Sequence, residues 1–195
     1  VRILAVKPHA AAAAMRETAA CLKEGALILS IVAGLPVHAI EAVYPNHPVI
    51  RAMPNTPIAA GAGISAYACG THAGEEECAA AELLLGAAGR TVFVHEDALD
   101  AVTGLSGSGP AYAFLVIEAL IEGGVAAGLN RDTAHVLAAQ TLLGAAQMVL
   151  AAKQSPADLR AAVTSPAGTT AAGLRVLERA GGRAACTAAV LAAAE

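Results

Sequence analysis

The chain has 195 residues, 56% hydrophobic but only 3% aromatic, with no Trp. Its net charge is -4 with Lys and Arg scattered, so no basic patch marks nucleic acid as a partner. A chain of this size buries one large core or two small ones, and an aliphatic, alanine-rich composition suits packed helices better than an aromatic-lined cleft.

In chain order, residues 2–6 predict a short strand stopped by Lys7-Pro8, and residues 9–23 an alanine-rich helix. Residues 26–32 form a second strand-like run ending at Ala33-Gly34, and residues 36–42 fit a short helix. Residues 48–53 predict a third strand, closed by Pro54-Asn55-Thr56-Pro57. A weaker strand at 64–68, a helix at 74–85 and a strand at 91–94 complete this half. Such alternation predicts a parallel sheet covered on both faces. Ligands bind such sheets beyond the carboxyl ends of the strands, here residues 5–8, 31–34 and 53–55. Lys7 either meets a ligand phosphate there or ends the strand in solvent; contact with the ligand is favoured.

Gly61, Gly63 and Ala66 satisfy G-x-G-x-x-A as text, but a strand follows them and none precedes, the reverse of a dinucleotide-binding loop. The four cysteines lack C-x-x-C spacing and are expected to be free, mostly buried thiols of an intracellular protein. The six histidines form no H-x-x-x-H pair, and no metal is expected. No leader is visible at Val1, and Pro36, Glu118 and Glu122 break the apolar stretches short of a membrane span.

After about Asp97 the pattern turns helical. Pro110 opens a long helix and Asn130 caps the next, whose apolar residues point in almost every direction. A helix apolar all round is buried all round, which calls for a second copy of the chain; a monomeric bundle is the competing reading. Ser155, Pro156 and Asp158 then start a short helix, which Pro166 ends by pushing Ser165 out of helical geometry. Ala167, Gly168, Thr169 and Thr170 make a small, hydroxyl-bearing corner leading into a further helix that stops at Gly181-Gly182. Unpaired N–H groups at such a helix start favour an anion. The plainer alternative is that the threonines merely cap.

The corner from Val163 to Thr170 reads V-T-S-P-A-G-T-T. With it stand Ala5-Val6-Lys7-Pro8, Met53-Pro54-Asn55-Thr56-Pro57, Leu105-Ser106-Gly107-Ser108-Gly109-Pro110-Ala111-Tyr112 and Ile117-Glu118-Ala119-Leu120. In this order, over nearly the whole chain, these motifs resemble pyrroline-5-carboxylate reductase, whose corner normally reads V-T-S-P-G-G-T-T. The resemblance implies a partial Rossmann-like dinucleotide-binding domain over residues 1–97 and a helical substrate-binding and dimerisation domain over 98–195. It implies reduction of 1-pyrroline-5-carboxylate to L-proline by hydride from NADPH or NADH, the last step of proline biosynthesis, in a cytoplasmic homodimer that assembles into larger rings such as a decamer. Ala5, Val6, Lys7 and Pro8, residues Ile31, Val32 and Ala33 after the next strand, and Asn55 would line the cofactor. Val163, Gly168, Thr169 and Thr170 would hold the substrate, with Thr169 beside its carboxylate and Thr170, the catalytic candidate, hydrogen-bonded to its nitrogen.

The family's glycine-rich loop lies in a βαβ unit ahead of the Ala-Val-Lys-Pro strand, where this sequence begins, so a fragment or truncated relative is expected. Ala167 replaces a glycine, which is tolerable at negative φ. Ala162 stands where relatives often have asparagine, and Lys153 and Gln154 where they often have acids. Two other readings remain. A β-hydroxyacid dehydrogenase would share Gly104, Gly107 and Gly109 but needs a lysine where Ala113 stands and an asparagine where Ile117 stands. A non-catalytic oligomerisation module would explain the missing loop directly.

Overall fold

The computed structural model describes residues 1–195. They form two compact units, Val1–Pro110 with Ala189–Glu195, and Ala111–Ala188. In the first, strands β1 (Arg2–Leu4), β2 (Ile28–Ser30), β3 (Val49–Met53), β4 (Gly63–Cys69) and β5 (Gly89–Phe93) lie side by side in chain order. Helices α1 (Pro8–Ala19) and α2 (Val37–Glu41) connect the first three strands, and α3 (Glu75–Gly86) connects the last two.

Alternate residues of a strand take opposite faces. Ile28 and Val49 pack with Leu4, Met15 and Ile40 on one side, while Leu29 and Ile50 pack with Tyr67 and Ala81 on the other. Burying each such aliphatic side chain contributes about 1.5–3 kcal/mol. Strands covered on both faces read as nearly unbroken apolar runs, which is why β2 and β3 stand out in the sequence.

The sheet is mainly parallel, as expected, with one reversal: β4 runs antiparallel to β3. The connector, residues 54–62, holds only a 3-10 turn at Thr56–Ala60 and is shorter than the dozen or so residues a parallel crossover needs. The Gly61–Ala66 text match therefore runs from that turn into β4, with no strand before it and no helix after it.

Beyond β5 the chain passes through a 3-10 turn at Glu96–Ala98, α4 (Leu99–Val102), a π-helical turn at Thr103–Gly107, and α5 (Gly109–Ala126). Then follow α6 (Arg131–Ala151), α7 (Pro156–Ala162), α8 (Thr169–Arg179) and α9 (Gly182–Ala194). Asn130 caps α6, its Oδ1 accepting the Thr133 N–H at 2.8 Å. The second unit has a small core of Ile121, Ala134 and Ala138 backed by Ile117. Phe114, Leu115, Val136, Leu143 and Leu150 are each at least half exposed. The expectation that acids break the apolar run is corrected here: the stretches Glu96–Ala126 and Arg131–Ala151 are long and apolar enough to cross a membrane, by length and composition only. Two glutamates are too few to interrupt α5.

All four cysteines are free, but none is fully buried: Cys21 and Cys186 are exposed, Cys69 and Cys78 half-buried. Alanine, not cysteine, fills the close-packed positions. Burial and a hydrogen bond with Cys78 push the Cys69 thiol up to about 12.

Candidate active site

Leu4 pairs with Ser30, and Ser30 with Arg51, in parallel register, so β1, β2 and β3 end on one edge of the sheet. That edge gathers Ala5, Val6, Lys7 and Pro8 with Ile31, Val32, Ala33 and Asn55. The Ile31 N–H donates to the Leu4 carbonyl at 3.0 Å, tying the first two strand ends together. Ser30, fully buried, turns the second end by accepting the Val32 N–H on its Oγ at 3.3 Å. Lys7 precedes Pro8, the first residue of α1, and its exposed ammonium enters no ion pair within the chain. The Asn55 Oδ1 accepts the Ile64 N–H at 3.0 Å, and its Nδ2 donates to the Ser106 carbonyl at 3.2 Å.

Two features of this unit escape sequence reasoning. Arg51, buried on β3, meets Glu96 Oε1 at 3.1 Å and Asp100 Oδ1 at 3.6 Å, and the same Glu96 oxygen accepts the Val37 N–H at 2.6 Å. The cluster binds the root of the helical run and the start of α2 to the sheet. An arginine inside an apolar strand hints at such a partner but does not name it. The other is Gly104, where a Cβ would stand 2.5 Å from the Val190 carbonyl and 3.0 Å from the Ala194 amide. Only a glycine lets α9 lie so close.

The threonine corner lies in the second unit. Ser155 caps α7: its Oγ accepts the Asp158 N–H at 3.2 Å while Asp158 Oδ2 accepts from the Ser155 hydroxyl at 2.6 Å and amide at 3.1 Å. Those hydrogen bonds hold the Asp158 carboxyl below the usual carboxylate range. Val163 closes the helix, and the Thr164 hydroxyl donates to the Arg160 carbonyl at 2.6 Å. Ala167 has φ +57°, so the condition under which alanine is easily tolerated is not met: the chain turns here through left-handed geometry, which a glycine adopts without strain. Gly168 is extended, with its N–H on the Ser165 carbonyl at 3.1 Å; a Cβ there would strike the Ser165 hydroxyl.

The first return bond of α8 is the Ala172 N–H to the Gly168 carbonyl at 3.2 Å, which leaves the amides of Thr169, Thr170 and Ala171 unpaired at the helix start. Thr169 and Thr170 are exposed, and their hydroxyls make no hydrogen bond within the chain. Val163 stands 61% exposed at the corner's other end. Glu178, further along α8, bridges Arg183 at 2.7 Å and Arg160 at 3.7 Å, fastening α7, α8 and α9 to one another. The Arg183 hydrogen bond and charge hold the Glu178 carboxyl low. The structure thus gathers the cofactor candidates on one edge of the first unit and the substrate candidates at one corner of the second.

Residues 96–195 match the family model described as pyrroline-5-carboxylate reductase dimerisation. A pyrroline-5-carboxylate reductase of Arabidopsis thaliana is 46% identical over 195 residues, covering 100% of this chain and 71% of that protein. The chain belongs to the pyrroline-5-carboxylate reductase family.

A Synechocystis reductase of the same name is also 46% identical, over 99% of this chain and 72% of its own. Among solved structures, the Coxiella burnetii pyrroline-5-carboxylate reductase superposes with a TM-score of 0.92 at 38% identity, over 98% of this chain and 72% of that one. A Plasmodium falciparum pyrroline carboxylate reductase with NADP bound gives 0.91 at 32% identity, over 98% and 73%. The matched dimerisation region makes this chain a homo-oligomer, and family membership sets aside the β-hydroxyacid dehydrogenase reading.

Proposed function

We infer that this reductase converts 1-pyrroline-5-carboxylate to L-proline with NADPH or NADH. The observation that carries the reading is the corner itself: three unpaired amides beside two uncommitted threonine hydroxyls, in a chain of this family. The amides of Thr169, Thr170 and Ala171 take the substrate carboxylate, as a helix start takes an anion. Val163 and Gly168 bound the ring, and the Thr170 hydroxyl hydrogen-bonds the ring nitrogen. A threonine hydroxyl is a weak acid, so its work is orientation; a proton already on the imine nitrogen makes the neighbouring carbon the hydride acceptor and leaves an amine.

The strand-end edge suits a dinucleotide. It offers an unpaired Lys7 charge, the Pro8-led start of α1 and the backbone turned by Ser30. Ala5, Val6, Lys7 and Pro8, together with Ile31, Val32, Ala33 and the backbone at Asn55, would hold it. When bound, the reduced nicotinamide supplies the hydride. In this reading residues 1–97 serve the cofactor and residues 98–195 serve the substrate and the dimer. A second copy, rather than lipid, covers the apolar faces of α5 and α6; rings such as a decamer build on that dimer, and free thiols suit the cytoplasm.

Expression of the complete reading frame in a proline-auxotrophic bacterium tests this. Growth without proline is expected, and its loss with Thr170→Val; undiminished growth with Thr170→Val removes Thr170 from the mechanism.

A further inference from the structure

Asn55 stands at the carboxyl end of β3, where a ligand-facing side chain is expected, yet both ends of its amide are used within the chain. Oδ1 holds the start of β4 by accepting the Ile64 N–H, and Nδ2 holds the π-helical turn through the Ser106 carbonyl. The turn is otherwise held by its own bonds: the Ser108 N–H reaches back to the Thr103 carbonyl at 2.8 Å, the Thr103 hydroxyl to Leu99 at 2.8 Å, and the Ser106 hydroxyl to Val102 at 3.1 Å. Against the sheet it rests on Met53, whose Cε would lie 2.7 Å from a Cβ at Gly107. A π turn carries one residue more than an α turn and is easily lost unless something outside it fixes the extra residue; such turns recur at functional sites.

We propose that Asn55 is a positioning residue for the reduction, fixing the π turn at Thr103–Gly107 to the strand-end edge so that the backbone keeps one shape where the cofactor would be held. The Asn55 side chain touches neither cofactor nor substrate; it acts through Ser106 and Ile64. The two halves of the amide are separable. Aspartate keeps the acceptor for Ile64 but sets a carboxylate against the Ser106 carbonyl, whereas alanine removes both bonds. This inference rests on the proposed reduction for its catalytic part and on the geometry alone for its structural part.

The test uses the complete enzyme with Asn55→Asp and Asn55→Ala, read by amide hydrogen exchange at Ile64 and Ser108 and by steady-state kinetics. With Asn55→Asp, Ile64 stays protected, Ser108 exchanges about tenfold faster, and kcat falls about tenfold while the KM for NADPH holds within about twofold, the scale of one lost hydrogen bond. With Asn55→Ala, both amides exchange faster. A raised KM for NADPH at unchanged kcat overturns the proposal by making Asn55 a direct cofactor contact. A lower melting temperature with unchanged kcat overturns it by making the clamp merely structural. Unchanged exchange in Asn55→Ala removes the clamp. An inactive parent enzyme with the exchange pattern intact would instead refute the proposed reduction, and the catalytic part of this inference with it.

Discussion

Ala167 is the residue whose chemistry and geometry disagree. Its φ of +57° brings the methyl group close to the carbonyl that follows, at a cost of roughly 1–2 kcal/mol, partly offset by the lower unfolded-state entropy of alanine relative to glycine. Ala167→Gly is therefore expected to stabilise the chain by about 0.5–1 kcal/mol, seen as a raised denaturation midpoint at unchanged slope. A fall in stability would mean that the corner does not hold this angle in solution. The helix caps were legible from the letters: Ser155 with Asp158 and Asn130 with Thr133 bond as their spacing predicts. The angle at Ala167 was not, because it follows from how the corner closes after Pro166. Nor does any local pattern show that both ends of the Asn55 amide are spent on Ile64 and Ser106.

At the scale of elements, apolar runs and their breakers located every strand and the major helices, because strands buried on both faces leave nearly unbroken apolar text. Pairing direction was harder. The shortness of residues 54–62 was in view, but periodicity says nothing about which way a strand runs, and alternation with helices favoured a parallel answer. The π turn is invisible to a helical-period reading, since residues 103–107 carry the small residues of a loop and the spacing of a helix. Gly104 within it allows the close approach of α9. Gly104→Ala sets a methyl against the Val190 carbonyl, which is backbone and cannot rotate away. A loss of about 1–3 kcal/mol is expected in chemical denaturation; Gly173→Ala, with nothing near the added methyl, is the control and should not destabilise. Equal behaviour of the two would show that α9 does not lie against the turn.

For the whole molecule, the decisive feature is how much aliphatic surface the second unit leaves open in a single chain. Leu143 on α6 is 50% exposed and Leu150 63%, in a region that matches a dimerisation family. Leu143→Asp is expected to shift the homo-oligomer towards monomer in sedimentation, because an unpaired carboxylate buried in an interface costs several kcal/mol. An unchanged oligomer would place that face elsewhere. The composition showed that these helices needed cover, and the motif order showed the family; neither fixed the geometry of the corner on which the chemistry depends. The most direct measurement is the steady-state kinetics of Thr170→Val in the complete enzyme, with 1-pyrroline-5-carboxylate and NADPH varied in turn. A fall of about 10- to 100-fold in kcat/KM for the imino acid, with the KM for NADPH unchanged, is expected from losing one hydrogen bond to a charged nitrogen. A kcat/KM equal to that of the parent enzyme would contradict the role given to the threonine corner.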